Sequence, residues 1–246
     1  MSLDIERSYA PSRQKENVMY KTEAHIHTKE VSECGQANAA DIVAAYAAAG
    51  YDTVFITDHI NSNFSLWEGL SWAEKVDKHR RGYEAALEVG ERLGIRVLYG
   101  AEITFSAPGG YRNDYLVYGF DRDFLIGFES LYNTSIEEFY PYAREHGVLV
   151  IQAHPYREGF CAPKADYVDG VEVCNAHPRH KNNNDRALTL AKERGLLMTV
   201  GSDVHMLGDV GGAALLTEKR IETVDDYIRV IKSGTGVLMG TDGVIV

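Results

Sequence analysis

Short apolar runs alternate along the chain with longer amphipathic or alanine-rich stretches. The runs predict buried strands at Ala24–His27, Thr53–Thr57, Arg96–Ile103, Tyr115–Phe120, Val148–Ala153, Gly170–Cys174 and Met198–Gly201, with Gly236–Met239 as a short closing strand. Between them, Ala39–Ala49 is alanine-rich with Gly50 in a C-cap position, and Trp72–Leu93 and Asp185–Arg194 carry mixed charge at helical spacing. Ser135–His146 predicts a further helix, which Pro141 breaks or kinks unless the helix starts near it. Strands alternating with helices in this way predict an α/β fold, a parallel sheet flanked by its connecting helices.

No repeat, low-complexity tract or Pro/Ser-rich linker interrupts that rhythm, so one domain is expected over 21–246, after a polar lead-in at 1–20. A chain of 246 residues that is 45% hydrophobic suits a single β/α barrel. Ser106–Asn113, with Pro108-Gly109-Gly110, reads as an active-site loop.

Ionisable residues fall at the carboxyl ends of the predicted strands. His25-Ile26-His27 ends the first, Asp58-His59 the second, Glu102 the third, His154 the fifth and Asp203-Val204-His205 the seventh. In a parallel barrel these ends open onto one face, where such folds build their active sites. Alternation along a strand sends positions i and i+2 to the same side, so His25 and His27 can converge while Ile26 packs outward; Asp203 and His205 can do the same. A lone strand-end histidine is ordinarily a surface or hydrogen-bonded residue, but five of the nine histidines lie in these few segments. Imidazole and carboxylate without thiolate suit zinc, manganese or iron, and the number of donors exceeds what one ion needs, which points to a cluster of two or three divalent transition metals.

The segments EAHIHT, FITDH, GAEI, IQAHP and GSDVH, in this order, resemble the motifs of the PHP (polymerase and histidinol phosphatase) family. The resemblance runs from about Thr22 to about His205. It implies a distorted (β/α)7 barrel with a trinuclear metal centre. Carried over by position, it implies that His25, His27, Glu102 and Asp203 hold one metal, that Glu102 bridges to a second also bound by His154, and that His59 and His205 belong to a third. Two places depart from the family pattern. Asp114 stands where relatives carry a histidine, with Asn113 as a fallback; carboxylate there favours manganese or iron over zinc. After the first motif, Glu30 or Glu33 would complete the third site, and spacing does not choose between them.

Other polar residues have weaker claims. Asp58 either orients a ligand or caps its turn. Arg157, on the loop after His154, is the first candidate to grip a phosphate, because guanidinium binds two oxygens at once. Asn175, His177, Arg179 and His180 are candidate substrate contacts at the barrel mouth. Cys34 reads as a small buried residue, and His79 and His146 as solvent-facing.

A net charge of −11 without a Lys/Arg-rich run disfavours nucleic acid as a main partner. Three cysteines with no C-x-x-C spacing indicate neither a disulfide framework nor a zinc knuckle and fit a reducing cytoplasm. No segment has the length of a signal peptide or a membrane span. There is no G-x-S-x-G, P-loop or G-x-G-x-x-G. The resemblance, together with the chemistry such a site permits, implies hydrolysis of a phosphate monoester, such as histidinol phosphate or a nucleotide, by a metal-activated water. The alternatives are a metal-stabilised binding or regulatory module and an amidohydrolase-type hydrolase.

Overall fold

The computed structural model describes residues 19–61, 69–106, 112–128, 134–159 and 161–246. The chain runs β1 (Tyr20–Glu23), α1 (Ala39–Ala48), β2 (Thr53–Ile56), β3 (His59–Ile60), α2 (Trp72–His79), α3 (Arg81–Leu93), β4 (Arg96–Tyr99), β5 (Ala101–Ser106), β6 (Arg112–Tyr118), α4 (Arg122–Gly127), α5 (Ile136–Glu145), β7 (Leu149–Gln152), β8 (Gly170–Asn175), α6 (Asn184–Arg194), β9 (Leu197–Gly201), β10 (Ala214–Thr217), α7 (Val224–Ser233), β11 (Val237–Gly240) and β12 (Gly243–Val244). The mixed α/β class matches the expectation from the sequence.

The strands do not form one closed barrel. They form two six-stranded sheets, in the orders β12-β11-β10-β1-β2-β4 and β3-β5-β6-β7-β8-β9. The division arises because the pairing between the same two stretches of chain is interrupted partway. β2 ends at Ile56, and the chain pairs again from His59, now with β5; β4 ends at Tyr99, and β5 begins after Gly100. Gly100 is closely packed: a Cβ there would lie 3.0 Å from Thr57 and 3.1 Å from Tyr118, so those side chains would have to give way. Among the described residues an isolated parallel bridge, Ile26 to Val204, also links the two sheets. Nor is the pairing purely parallel: β6 runs antiparallel to β5 and β7, and β10 runs antiparallel to β1.

Other expectations shift in detail. The first strand ends at Glu23, so Ala24–His27 continues beyond it with only Ile26 in a bridge. The segment Trp72–Leu93 is two helices meeting at Arg80, which closes α2 and opens α3. Pro141 lies inside α5, which begins at Ile136. The lead-in up to 18 and positions 107–111 of the expected active-site loop lie outside the described residues. Among the described residues no helix is long and apolar enough to cross a membrane.

Capping accounts for several helix starts. Asn38 accepts the Asp41 amide at α1, and Ser71/Glu74 and Thr223/Asp226 form reciprocal capping boxes at α2 and α7. Two apolar cores flank the site. The larger holds Phe55, Tyr118, Phe139 and Tyr227; the smaller packs α1 and α3 against Ile26, Val54, Ile56 and Val204. Tyr118 donates its hydroxyl to the Ala24 carbonyl at 2.8 Å, fastening the segment that leads into His25.

Candidate metal centre

Ile26 and Val204 are wholly buried in the smaller core, and their bridge is closed by Val204 N–H to His25 O at 3.2 Å and His27 N–H to Val204 O at 2.9 Å. With these central residues packed away, alternation turns His25, His27, Asp203 and His205 to the opposite side. There Nε2 of His25 and Nε2 of His27 lie 3.1 Å apart, and Asp203 Oδ1 sits 3.4 and 3.3 Å from them. His205 Nδ1 is 3.5 Å from the same oxygen.

Glu102 stands at the middle of the cluster. Its Oε1 is 3.3 Å from Nε2 of both His25 and His154, and its Oε2 is 3.1 Å from His27 Nε2 and 3.2 Å from His59 Nδ1. Asp114 Oδ2 lies 3.8 Å from His154 Nε2, and its other oxygen accepts from Thr104. Eight of the residues singled out from the sequence thus share one site: His25, His27, His59, Glu102, Asp114, His154, Asp203 and His205.

Glu30 and Glu33 are placed elsewhere. Glu30 accepts the Ala39 amide at 3.1 Å at the start of α1, and Glu33 is exposed. Cys34 is exposed rather than buried, and its sulfur falls within a group of possible donors formed with His27 and His59.

The outward nitrogens are held in place. His25 Nδ1 meets Glu172 Oε1 at 2.9 Å, and His205 Nδ1 meets its neighbour's carbonyl, Asp203 O, at 2.9 Å. Such contacts select the ring tautomer that leaves Nε2 available. Glu172 also accepts the His154 amide at 3.0 Å and Asn175 Nδ2 at 2.8 Å. Glu23, one layer below, accepts the amides of Ala24, His25 and Ser202, the Ser202 hydroxyl and the Tyr46 hydroxyl.

Neither glutamate was singled out from the sequence. The available signal was a single acidic residue in an otherwise apolar strand, as in Gly170-Val171-Glu172-Val173-Cys174. His154 and Asp203 both adopt positive φ, 29° and 53°, a conformation that non-glycine residues hold only when their surroundings enforce it.

Arg157 turns inward. It donates to Asp203 Oδ2, to Asn175 Oδ1 at 3.0 Å and to Asn182 Oδ1 at 2.9 Å, so it grips the Asp203 carboxylate and leaves Oδ1 facing the imidazoles. Asp58 is buried. It accepts the Thr28 amide at 2.6 Å, the Thr28 hydroxyl at 2.7 Å and the Ser32 hydroxyl at 2.6 Å, and Ser32 in turn accepts the His59 amide at 3.0 Å.

Of the mouth residues, Asn175 and His177 are buried, Arg179 pairs with Asp209, and His180 is exposed. His79 corrects the expectation of a solvent-facing residue: it is buried between Tyr99 and Asp58, with Nε2 2.8 Å from the Asp58 carbonyl. A helical, charged segment does not reveal which residue its inner face buries; His146 is exposed as expected.

The electrostatics are those of a site built for cations. Burial works against a charged His25, but the Asp203, Glu102 and Glu172 carboxylates outweigh it and raise its pKa well above the usual value. Burial likewise opposes protonation of His27, yet the bonds to Asp203 and Glu102 lift it to about 9. Glu102 and Asp203, although buried, are held well below the usual carboxylate range by the surrounding imidazoles and, for Asp203, by Arg157. Burial lowers His59 to about 3 and His205 to about 4, and raises Asp58 to about 6.

Glu102 Oε1 and His59 Nδ1 are buried without a hydrogen bond. Unpaired polar atoms at the centre of so polar a cluster are costly unless a further partner binds them. A divalent cation fits that role, and the imidazole and carboxylate donors suit one.

A family model described as PHP-associated matches residues 181–235. The fold agrees. The matched segment and the fold make the chain similar to PHP-domain proteins. Among solved structures it is similar to a two-domain Bacteroides vulgatus protein containing a predicted PHP-like metal-dependent phosphoesterase, with TM-score 0.67 and 16% identity over 99% of this chain and 71% of that one. It is also similar to the lesion-specific endonuclease EndoQ of Pyrococcus furiosus, with TM-score 0.60 and 14% identity over 91% of this chain and 59% of that one. An amidohydrolase of Chromobacterium violaceum, solved with sulfate and no metal, gives TM-score 0.53 and 15% identity over 75% of this chain and 87% of that one. No curated protein sequence matches the chain significantly. Three different activities on one PHP-like architecture leave the choice among them to the site itself.

Proposed function

We propose that this protein hydrolyses the phosphate monoester of a small phosphorylated metabolite at a centre of two or three divalent transition metals. The observation that carries this reading is the environment of Glu102, which presents one oxygen to His25 and His154 and the other to His27 and His59, all at 3.1–3.3 Å. A carboxylate shared in this way suits a bridge between neighbouring cations. His25, His27 and Asp203 would hold one ion with Glu102, His154 and Asp114 a second, and His59 with His205 a third. Bound there, the cations would lower the pKa of water and offset charge on the phosphoryl oxygens.

The chain's own residues set the geometry. Glu172 meets His25 Nδ1, Ser32 Oγ lies 3.5 Å from His27 Nδ1, and Arg157 holds Asp203, which makes it a positioning residue in this reading rather than the phosphate grip. The carboxylate of Asp114 favours manganese or iron over zinc. The net charge of −11 favours a small substrate over a long polyanion, although the likeness to an endonuclease makes an oligonucleotide worth testing beside it.

The test is a screen of phosphorylated metabolites, p-nitrophenyl phosphate and a short oligonucleotide, with manganese, iron and zinc supplied separately to the wild type and to Glu102→Gln. Metal-dependent release of phosphate that Glu102→Gln abolishes is the expected result. A full metal complement with no turnover of any phosphoester favours the binding module, and turnover of a cyclic amide instead favours the amidohydrolase.

A further inference from the structure

His154 is held differently from its partners. The Nδ1 of His25 faces a carboxylate and that of His205 a carbonyl, but the Nδ1 of His154 faces sulfur, with Cys161 Sγ at 3.5 Å. The other nitrogen of the same ring, Nε2, points at Glu102 Oε1, the buried oxygen that lacks a hydrogen bond, and at Asp114. Asp114, His154 and Cys161 also bring their donor atoms within 4.8 Å of one another.

An imidazole whose Nε2 binds a cation must carry its proton on Nδ1, and that proton needs an acceptor. Around His154 the sulfur is the acceptor in place. Its backbone is fixed separately, by the amide bond to Glu172 and by a positive φ of 29°, so the ring's rotation is what remains for Cys161 to set. The Cys161 amide bonds back to the Arg157 carbonyl at 3.3 Å, and the next residue, Ala162, donates its amide to Asn113 Oδ1 at 2.8 Å. These two bonds hold the sulfur-bearing turn between the loop after His154 and the strand that carries Asp114.

We propose that Cys161 is a positioning residue of the metal centre: its sulfur receives the Nδ1 proton of His154 and so presents Nε2 to the cation shared with Glu102 and Asp114. This rests on the metal-centre reading above. Cys161 is half-buried and lines a pocket with Tyr156, Arg157 and Lys181, so a thiol reagent can reach it.

The test measures metal binding rather than turnover. Wild type, Cys161→Ala and Cys161→Ser are titrated with manganese and zinc, and metal content is counted after dialysis. Removing a group that orients a ligand costs about 10–100-fold in metal affinity. Cys161→Ala is expected to weaken one equivalent by that factor while the equivalent held by His25, His27 and Asp203 stays bound. Cys161→Ser, whose hydroxyl can accept the same proton, is expected to recover part of the loss. Iodoacetamide treatment of Cys34→Ser, which lacks the exposed thiol beside His27 and His59, should release the same single equivalent.

Unchanged affinity in Cys161→Ala overturns the proposal. So does an intense sulfur-to-cobalt absorption band in cobalt-loaded Cys34→Ser, because the Cys161 sulfur would then be a direct ligand. If Cys161→Ala fails to fold, the iodoacetamide release and the cobalt spectrum of Cys34→Ser decide the matter. A wild type that takes up no metal sinks the metal-centre reading itself, whereas loss of only the sulfur effect sinks this proposal alone.

Discussion

His25 and Glu172 lie 147 positions apart in the chain and meet at 2.9 Å, Nδ1 to Oε1, with both side chains fully buried. The same glutamate fixes the His154 amide and Asn175, and Asn175 contacts Asp203 at 3.2 Å. One carboxylate that touches no cation in the proposed reading therefore orients three residues that would. Glu172→Gln keeps the shape and removes the charge. It is expected to weaken metal binding about 10–100-fold with little change in secondary structure, measured by competition with a chelator and by circular dichroism.

Gly201 closes β9 directly beside that pair. A Cβ there would lie 2.5 Å from Glu172 Oε1 and 2.5 Å from His25 Cβ, distances that force one of them to move. Gly201→Ala should therefore disturb the site without altering any ligand. A loss of roughly 1–3 kcal/mol in unfolding free energy is expected, as for other overpacked interiors, accompanied by weaker metal uptake. Urea denaturation of the metal-free protein and dialysis against manganese measure the two effects.

Metal uptake should release protons. Without cations, Asp203 and Glu102 lift His27 to about 9, and Cys161 and Glu102 lift His154 to about 10, so at neutral pH these rings carry protons that a cation must displace. Affinity is then expected to rise with pH from 6 to 9. Calorimetric titrations in two buffers of different ionisation enthalpy give the number of protons released, and a value of zero would contradict this account.

His79 gives a separate acid response. Burial lowers its pKa from 6.5 to about 4, so between those values the unfolded chain binds a proton that the folded protein does not. Its contribution to stability is full above about 6.5 and is lost as the pH falls toward 4. The thermal midpoint of metal-free protein should drop over that interval, and His79→Gln should flatten the slope even if it lowers the midpoint throughout. Equal slopes for the two proteins would show that His79 is not the group responsible.

Most of the centre could be read from local pattern. His-x-His and Asp-x-His announce two side chains on one face of an extended segment, because alternation is a property of the backbone and needs no partner. Glu102, His59 and His154 stood at the ends of apolar runs, where parallel pairs such as β3 with β5 bring strand ends together. Local pattern misplaced His79, since a charged helical segment does not say which ring it buries, and Glu30, offered only by the family resemblance, accepts the Ala39 amide at the start of α1 instead.

What the sequence by itself determined, then, was the mixed α/β class and the set of donors that could converge. The tertiary structure decided how they are held: Glu172 behind His25, Arg157 turned onto Asp203, Cys161 behind His154, and two sheets joined at Ile26 and Val204 in place of one closed ring. Each of these joins residues far apart in the chain or depends on how a loop folds back. Periodicity tells which way a side chain points, but only packing decides what it meets there.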